Sequence, residues 1–333
     1  MKQGYHAAAA PRRDRRGFLA AAVGAIVSGA VPGREVAAGA EPPQRRGPPR
    51  LKPALAAYGF RQFFPWSRGK PQAVADPTKA LSIAGFIDLC ADHGCDAELT
   101  AYYFDPAVTD ADLAALRRHA HLRGITISGT AVGNRFTRPS GPELDGEIAA
   151  VKQWIDRTAI LGAGHMRVFA GPAGDGLDEA AARRQCVMAL EECCAHAATR
   201  GVMLGLENHG GIVAGPDGLL AVIEAVRSDW LGISLDTGNF HSPDPYADLA
   251  RCAPYAVNVQ YKVAVRRSEA GPAKPAGPLL PAEPTDPERI VALLRAAGYQ
   301  GSVALEYEEA EDPFTAVPRH LAALQAAIER AAG

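Results

Sequence analysis

From residue 51 onward the chain alternates between long amphipathic stretches and short apolar runs, and a glycine repeatedly separates the two. Ala91-Asp92-His93-Gly94 precedes the run 95–99, and His121-Leu122-Arg123-Gly124 precedes 125–128. The same order returns as Ile160-Leu161-Gly162 before 165–170, Ala198-Thr199-Arg200-Gly201 before 202–207, and Arg295-Ala296-Ala297-Gly298 before 302–307. Glycine is the usual residue just past a helix end, because it takes the left-handed conformation without steric cost. Short apolar runs bounded in this way fit fully buried parallel strands. Markers at 94, 124, 164 and 201 stand 30, 40 and 37 residues apart, one strand-plus-helix unit each.

The apolar runs predict eight strands, at 54–60, 95–100, 125–131, 166–170, 202–207, 231–236, 257–263 and 302–306. Eight strands alternating with helices make an α/β protein, and a (β/α)8 TIM barrel accommodates them better than an open doubly wound sheet. No Gly-x-Gly-x-x-Gly lies between a strand and a helix, which argues against a dinucleotide site. A Pro- and Gly-rich insert at 266–283 follows the seventh strand, where a barrel carries its functional loops, and is expected to form a lid or rim.

Residues 1–40 stand apart from this pattern. Arg15-Arg16-Gly17-Phe18-Leu19 follows a basic stretch and opens an apolar run, 18–31, too short to span a bilayer comfortably. The small residues Ala38-Gly39-Ala40 suit a peptidase, so a cleaved export signal of the twin-arginine type is expected, with a periplasmic or otherwise exported product and no lasting membrane anchor. A Pro-rich linker, 41–50, then leads to the barrel at 51–330. Without the first 40 residues the chain has 29 basic and 35 acidic side chains, a balance that offers nucleic acid no general attraction. The six cysteines form no zinc-ribbon pattern. Cys186 and Cys193 share a helical face with Leu190, so buried free thiols are expected. Homo-oligomerisation stays open.

The chemistry gathers at strand ends. The fifth strand ends Leu206-Glu207-Asn208-His209-Gly210-Gly211 and the sixth Leu235-Asp236-Thr237-Gly238-Asn239. Val259-Gln260-Tyr261-Lys262 closes the seventh, and Leu305-Glu306-Tyr307-Glu308 the eighth. In a barrel these ends converge on one mouth, where carboxylates repel one another unless a cation intervenes. Glu207, Asp236, Glu306 and the amide oxygen of Gln260 form an oxygen-rich set suited to a hard divalent ion. Mn²⁺ is the first choice, with Mg²⁺, Co²⁺ and Zn²⁺ as alternatives. Asp236 could equally cap the Thr237-Gly238 turn, and Gln260 could serve only as a hydrogen bonder. Alternation puts His209 on the side of Glu207 and Lys262 on the side of Gln260. Glu98 and Arg167, at the second and fourth strands, are candidates for contacting substrate hydroxyls, unless they simply pair with each other.

Glu-Asn-His-Gly-Gly, Leu-Asp-Thr-Gly-Asn and Ala-Leu-Glu-Tyr-Glu, in this order, resemble the xylose-isomerase-like sugar isomerase and epimerase superfamily over roughly residues 51–330. The resemblance implies a divalent metal held by Glu207, Asp236, Gln260 and Glu306. The Gln260 position is commonly His in that superfamily, so Gln keeps an oxygen ligand but lowers basicity.

The implied reaction is isomerisation or epimerisation of a small, non-phosphorylated sugar by proton transfer next to a carbonyl, through an enediolate. Glu207 and Glu306 are the first candidates for moving the proton, His209 is the alternative base, and Lys262 would hold or protonate a substrate oxygen. A lyase cleaving 3-keto-glycosides or C-glycosides would use the same enolate chemistry, and a non-catalytic sugar-binding protein would keep the pocket alone. The endonuclease branch of the superfamily is opposed by the negative charge, the expected export signal and the scarcity of strand-end histidines.

Overall fold

The computed structural model describes residues 41–269 and 279–332. The expected export signal and the middle of the expected lid, 270–278, lie outside them. Eight strands, β1 (Arg50–Ala56), β2 (Asp96–Thr100), β3 (Ile127–Ala131), β4 (His165–Val168), β5 (Met203–Glu207), β6 (Leu231–Asp236), β7 (Ala256–Tyr261) and β8 (Gln300–Leu305), close into a barrel. Every neighbouring pair is parallel, including β8 with β1, so the α/β barrel expected from the sequence is the fold observed.

The helices are α1 (Ile83–Asp92), α2 (Asp110–Leu122), α3 (Pro142–Leu161), α4 (Glu179–Arg200), α5 (Pro216–Ala225), α6 (Pro245–Cys252), α7 (Pro287–Ala296) and α8 (Pro313–Ala332). Their starts are written into the chain: Ser82, Asp178 and Asp244 each accept a hydrogen bond from a first-turn N–H, and Thr109 with Asp112 forms a capping box at α2. Their ends use the glycines noted above, with one correction. Gly162 (φ 77°), not Gly164, takes the left-handed conformation after α3.

The boundaries of the first strand also differ from expectation. It begins at Arg50 and ends at Ala56, and 57–63 turns into a short 3-10 segment at the mouth. The Pro-rich segment before it is fastened to the base of the barrel. The Arg45 guanidinium donates to Pro254 O (3.0 Å) and to Ala256 O, and the Gln300 amide donates to Arg46 O (2.8 Å) and Pro48 O (3.1 Å).

Alternation divides the side chains of each strand between two environments. Outward residues such as Leu55, Leu99, Leu206 and Leu305 are buried against Phe86, Leu190 and other helix residues, each contributing about 1.5–3 kcal/mol through burial. The inward set is unlike the branched layers that usually fill such barrels. Ala54, Ala56 and Ala304 form a small apolar patch of their own, and the other inward positions include Glu98, His165, Arg167, Ser234, Asn258 and Gln260, all buried. Small residues make room for these groups: a Cβ on Gly129 would overlap the His165 imidazole. All six cysteines are buried and unpaired, as expected. No helix among the described residues is long and apolar enough to cross a membrane.

Candidate active site

Side-chain amides lock neighbouring strand ends together at the mouth. Asn208, just past β5, donates to Asp236 O (2.9 Å) and accepts from Asp236 N (2.8 Å), which fixes the end of β6. Asn134 makes the same double bridge to Phe169, donating to its O (2.7 Å) and accepting from its N (2.9 Å). The end of β7 is held by Lys262 N donating to Thr237 Oγ1 (2.9 Å), and that of β8 by Glu306 N donating to Tyr261 O (2.9 Å).

On this frame the predicted residues fall into two charge clusters. In one, Arg167 Nε lies 2.9 Å from Glu207 Oε2, while Glu207 Oε1 accepts from Asn239 Nδ2 (3.1 Å). Arg167 also donates to Val132 O (3.0 Å) and lays its guanidinium 3.9 Å from the centre of the Phe169 ring. The pairing of Arg167 with Glu98, left open by the sequence, does not occur. Glu98 instead accepts from Asn258 (2.7 Å) and Gln260 (3.1 Å), deeper in the barrel, with His165 Nε2 3.6 Å away. Glu98 is 1% exposed and lies below the rim.

In the second cluster Lys262 Nζ meets Glu306 Oε2, lies 2.7 Å from Glu308 Oε2, and stands 3.4 Å from Asp236 Oδ2. Gly238 admits the lysine stem, since a Cβ there would come within 2.7 Å of Lys262 Cγ. Both roles considered for Asp236 are visible. Its Oδ1 accepts from Gly238 N (2.8 Å), closing the turn, while its Oδ2 is buried with no hydrogen-bond partner. Gln260 donates through Nε2 to Glu98 (3.1 Å) and Glu306 (3.5 Å), and its Oε1 is likewise buried and unpartnered. His209 lies at the rim beside the first cluster, its ring 4.4 Å from that of Phe169, the ring that Arg167 also overlies.

Burial dominates the electrostatics. It pushes Glu207 and Asp236 up from the ordinary carboxylate range, against the pull of Arg167 on the first and Lys262 on the second. Burial would lower Lys262 and Arg167, but the surrounding carboxylates outweigh it and raise both. His209 is lowered, first by desolvation against its neighbours and then by the charge of Arg167. Four buried carboxylates, Glu98, Glu207, Asp236 and Glu306, thus face two buried cations, Arg167 and Lys262.

That imbalance, with oxygens of Asp236 and Gln260 that accept no hydrogen bond, suits a hard divalent cation in charge and in donor type. The residues fit such an ion chemically. Their present arrangement is a different matter: among the described residues no three Asp, Glu, His or Cys side chains come together closely enough to hold a metal, and Lys262 contacts both Asp236 and Glu306 while Arg167 holds Glu207.

A profile of the xylose isomerase-like TIM barrel matches residues 87–327. The chain belongs to that family. Within this barrel family, solved structures share the fold at low identity. D-psicose 3-epimerase from Clostridium cellulolyticum H10 is 16% identical with a TM-score of 0.61, over 84% of this chain and 97% of that one. A xylose isomerase-like TIM barrel protein from Mycobacterium smegmatis, in complex with magnesium, is 18% identical with a TM-score of 0.61, over 84% and 95%. The 3-keto-D-glucoside 4-epimerase of E. coli is 14% identical with a TM-score of 0.59, over 84% and 99%. No curated protein matches the chain.

Asn258 escaped the sequence reading, although it is two positions before Gln260 on the same inward face and the alternation that marked Gln260 and Lys262 marks it too. Asn239 and His241 are legible in the sequence as residues after the sixth strand that could line the pocket, and the structure aims them: both line a cleft with Lys262, Glu306 and Glu308. Tyr102 and Phe169 carry no signal in the chain beyond their place after a strand.

Proposed function

We propose that this protein is a divalent-metal-dependent isomerase or epimerase of a small sugar, working by proton transfer next to a carbonyl through an enediolate. The observation that carries this reading is a pair of buried carboxylates, Glu207 beside Arg167 and Glu306 beside Lys262, with oxygens of Asp236 and Gln260 that accept no hydrogen bond in the same mouth. Glu207, Asp236, Gln260 and Glu306 would hold the ion, with Mn²⁺ the first candidate. When bound, it supplies positive charge to substrate oxygens as negative charge develops on them.

The chain's own groups account for the rest. Glu207 on β5 and the group following β8 approach the mouth from staves three apart, so a carboxylate is available to either side of a sugar carbon. Burial raises Glu207 toward neutrality, which suits a group that must both take and return a proton. Lys262 is a donor for a substrate oxygen, and Arg167 orients Glu207 while closing one wall with Phe169. His209, kept neutral by its surroundings, is the alternative base at the rim. The Arg15-Arg16 motif supports export, and the acidic balance favours a small neutral ligand over nucleic acid.

The test is metal analysis of the purified protein followed by incubation of keto-sugars and 3-keto-glycosides in D₂O. Deuterium should appear at a carbon next to the carbonyl with no loss of a substituent. Release of an aglycone would make the protein a lyase, and binding without exchange would make it a sugar-binding protein.

A further inference from the structure

Lys262 is anchored at its root and shared at its tip. Its backbone N–H is fixed to Thr237 (2.9 Å) and its first methylenes lie against Gly238, so the main chain is committed to this position. The ammonium, by contrast, has carboxylates on two sides. Asp236, fully buried, and Glu306, about 6% exposed, lie inward, while Glu308, 40% exposed, lies outward on the chain following β8. A cleft of about 170 Å³, lined by Gly238, Asn239, Lys262, Glu306 and Glu308, gives the side chain space beside it.

The inward acceptors are the same oxygens a divalent cation needs. Asp236 Oδ1 is spent on Gly238 N, and its Oδ2 faces the lysine. Glu306 has one oxygen on Lys262 and the other 3.5 Å from Gln260 Nε2. An ammonium and a divalent ion compete for these oxygens, since like charges a few ångströms apart in a buried site repel. We infer that Lys262 is a built-in cation that occupies the metal position, and that a divalent ion binds by displacing its ammonium outward onto Glu308. The proposal rests on the reading of the mouth as a metal centre and adds to it a competitor carried by the chain itself.

The experiment is isothermal titration of the full chain, as wild type, Lys262→Met, Glu308→Gln and the double variant, with Mn²⁺ as the probe. Loss of the competitor should tighten Mn²⁺ binding in Lys262→Met by roughly tenfold or more, the scale expected for close charge pairs. Glu308→Gln removes the outer acceptor and should weaken binding by roughly tenfold in the wild-type background. It should have little effect once Lys262 is Met, which separates a docking role for Glu308 from a general loss of negative charge.

Equal or weaker binding by Lys262→Met, alongside measurable wild-type binding, overturns the lysine assignment and leaves the proposed function standing. Binding by Lys262→Met but not by wild type supports the lysine assignment and overturns the resident metal. Absence of binding in both overturns both. If Lys262→Met does not fold, Glu308→Gln decides alone, because its side chain is partly exposed and an unchanged affinity refutes the outward displacement.

Discussion

Replacing Arg167 by Met isolates the energetic weight of one buried charge pair. Arg167 and Glu207 are each about 3% exposed, with 2.9 Å between Nε and Oε2. At an effective dielectric of about 20, unit charges about 4 Å apart attract by about 4 kcal/mol, and deleting one partner of a buried pair costs about 3–5 kcal/mol. At roughly 2–4 °C per kcal/mol for a chain near this size, the midpoint of thermal unfolding should fall by roughly 6–20 °C.

The loss should depend on pH. Glu207 is already raised by burial, and without the guanidinium it rises further. A carboxyl whose folded value lies above its unfolded value contributes stability that is complete below the unfolded value and disappears as pH rises through the folded one. Arg167→Met should therefore approach wild-type stability near pH 5 and fall increasingly short of it toward pH 8. Denaturant unfolding of Arg167→Met, Glu207→Gln and the double variant at both pH values measures this. The double variant should recover about 2 kcal/mol or more relative to the sum of the singles. Strict additivity, or a deficit independent of pH, would refute the reasoning.

Three other outcomes follow from the same geometry. Gly129→Ala puts a methyl group into the His165 ring and should destabilise the barrel by about 1–3 kcal/mol or more, whereas Gly146→Ala, in α3 with open space around it, should stabilise by about 0.5–1 kcal/mol; denaturant midpoints of the two variants check both signs. If His209 takes the substrate proton, exchange in D₂O should decline as pH falls through its lowered value, below 6.5, because the imidazolium cannot accept a proton, and His209→Gln should lose that acidic limb. Ellman's reagent should find almost no reactive thiol in the native protein and all six cysteines after unfolding in guanidinium.

The barrel was legible because its signals are local. Glycine after each helix and an apolar run before each polar strand end are properties of a few consecutive residues, and they located Glu207, Asp236, Gln260 and Glu306 near one mouth. What could not be read is which charge meets which. Arg167 on β4 meets Glu207 on the adjacent β5, whereas Glu98, two strands away on β2, is engaged by Asn258 and Gln260 from across the interior. The contact of Lys262 with three acids depends on the close approach that Gly238 permits, and nothing in Leu-Asp-Thr-Gly-Asn announces that its glycine serves a lysine at the end of the next strand. The start of β1 was missed for a related reason. Pro53 sits inside it and breaks the apolar run, yet the strand pairs with β8 from Arg50 onward.

Arg45 and Gln300 anchor the segment ahead of β1 underneath the barrel, on the side opposite the reacting groups. A fusion partner or immobilisation tether joined at residue 41 would thus depart from the floor and leave substrate access free. Cutting the chain back to Leu51 would remove that fastening and its first strand residue together, so trimming this apparently dispensable stretch should loosen the seam where the barrel closes.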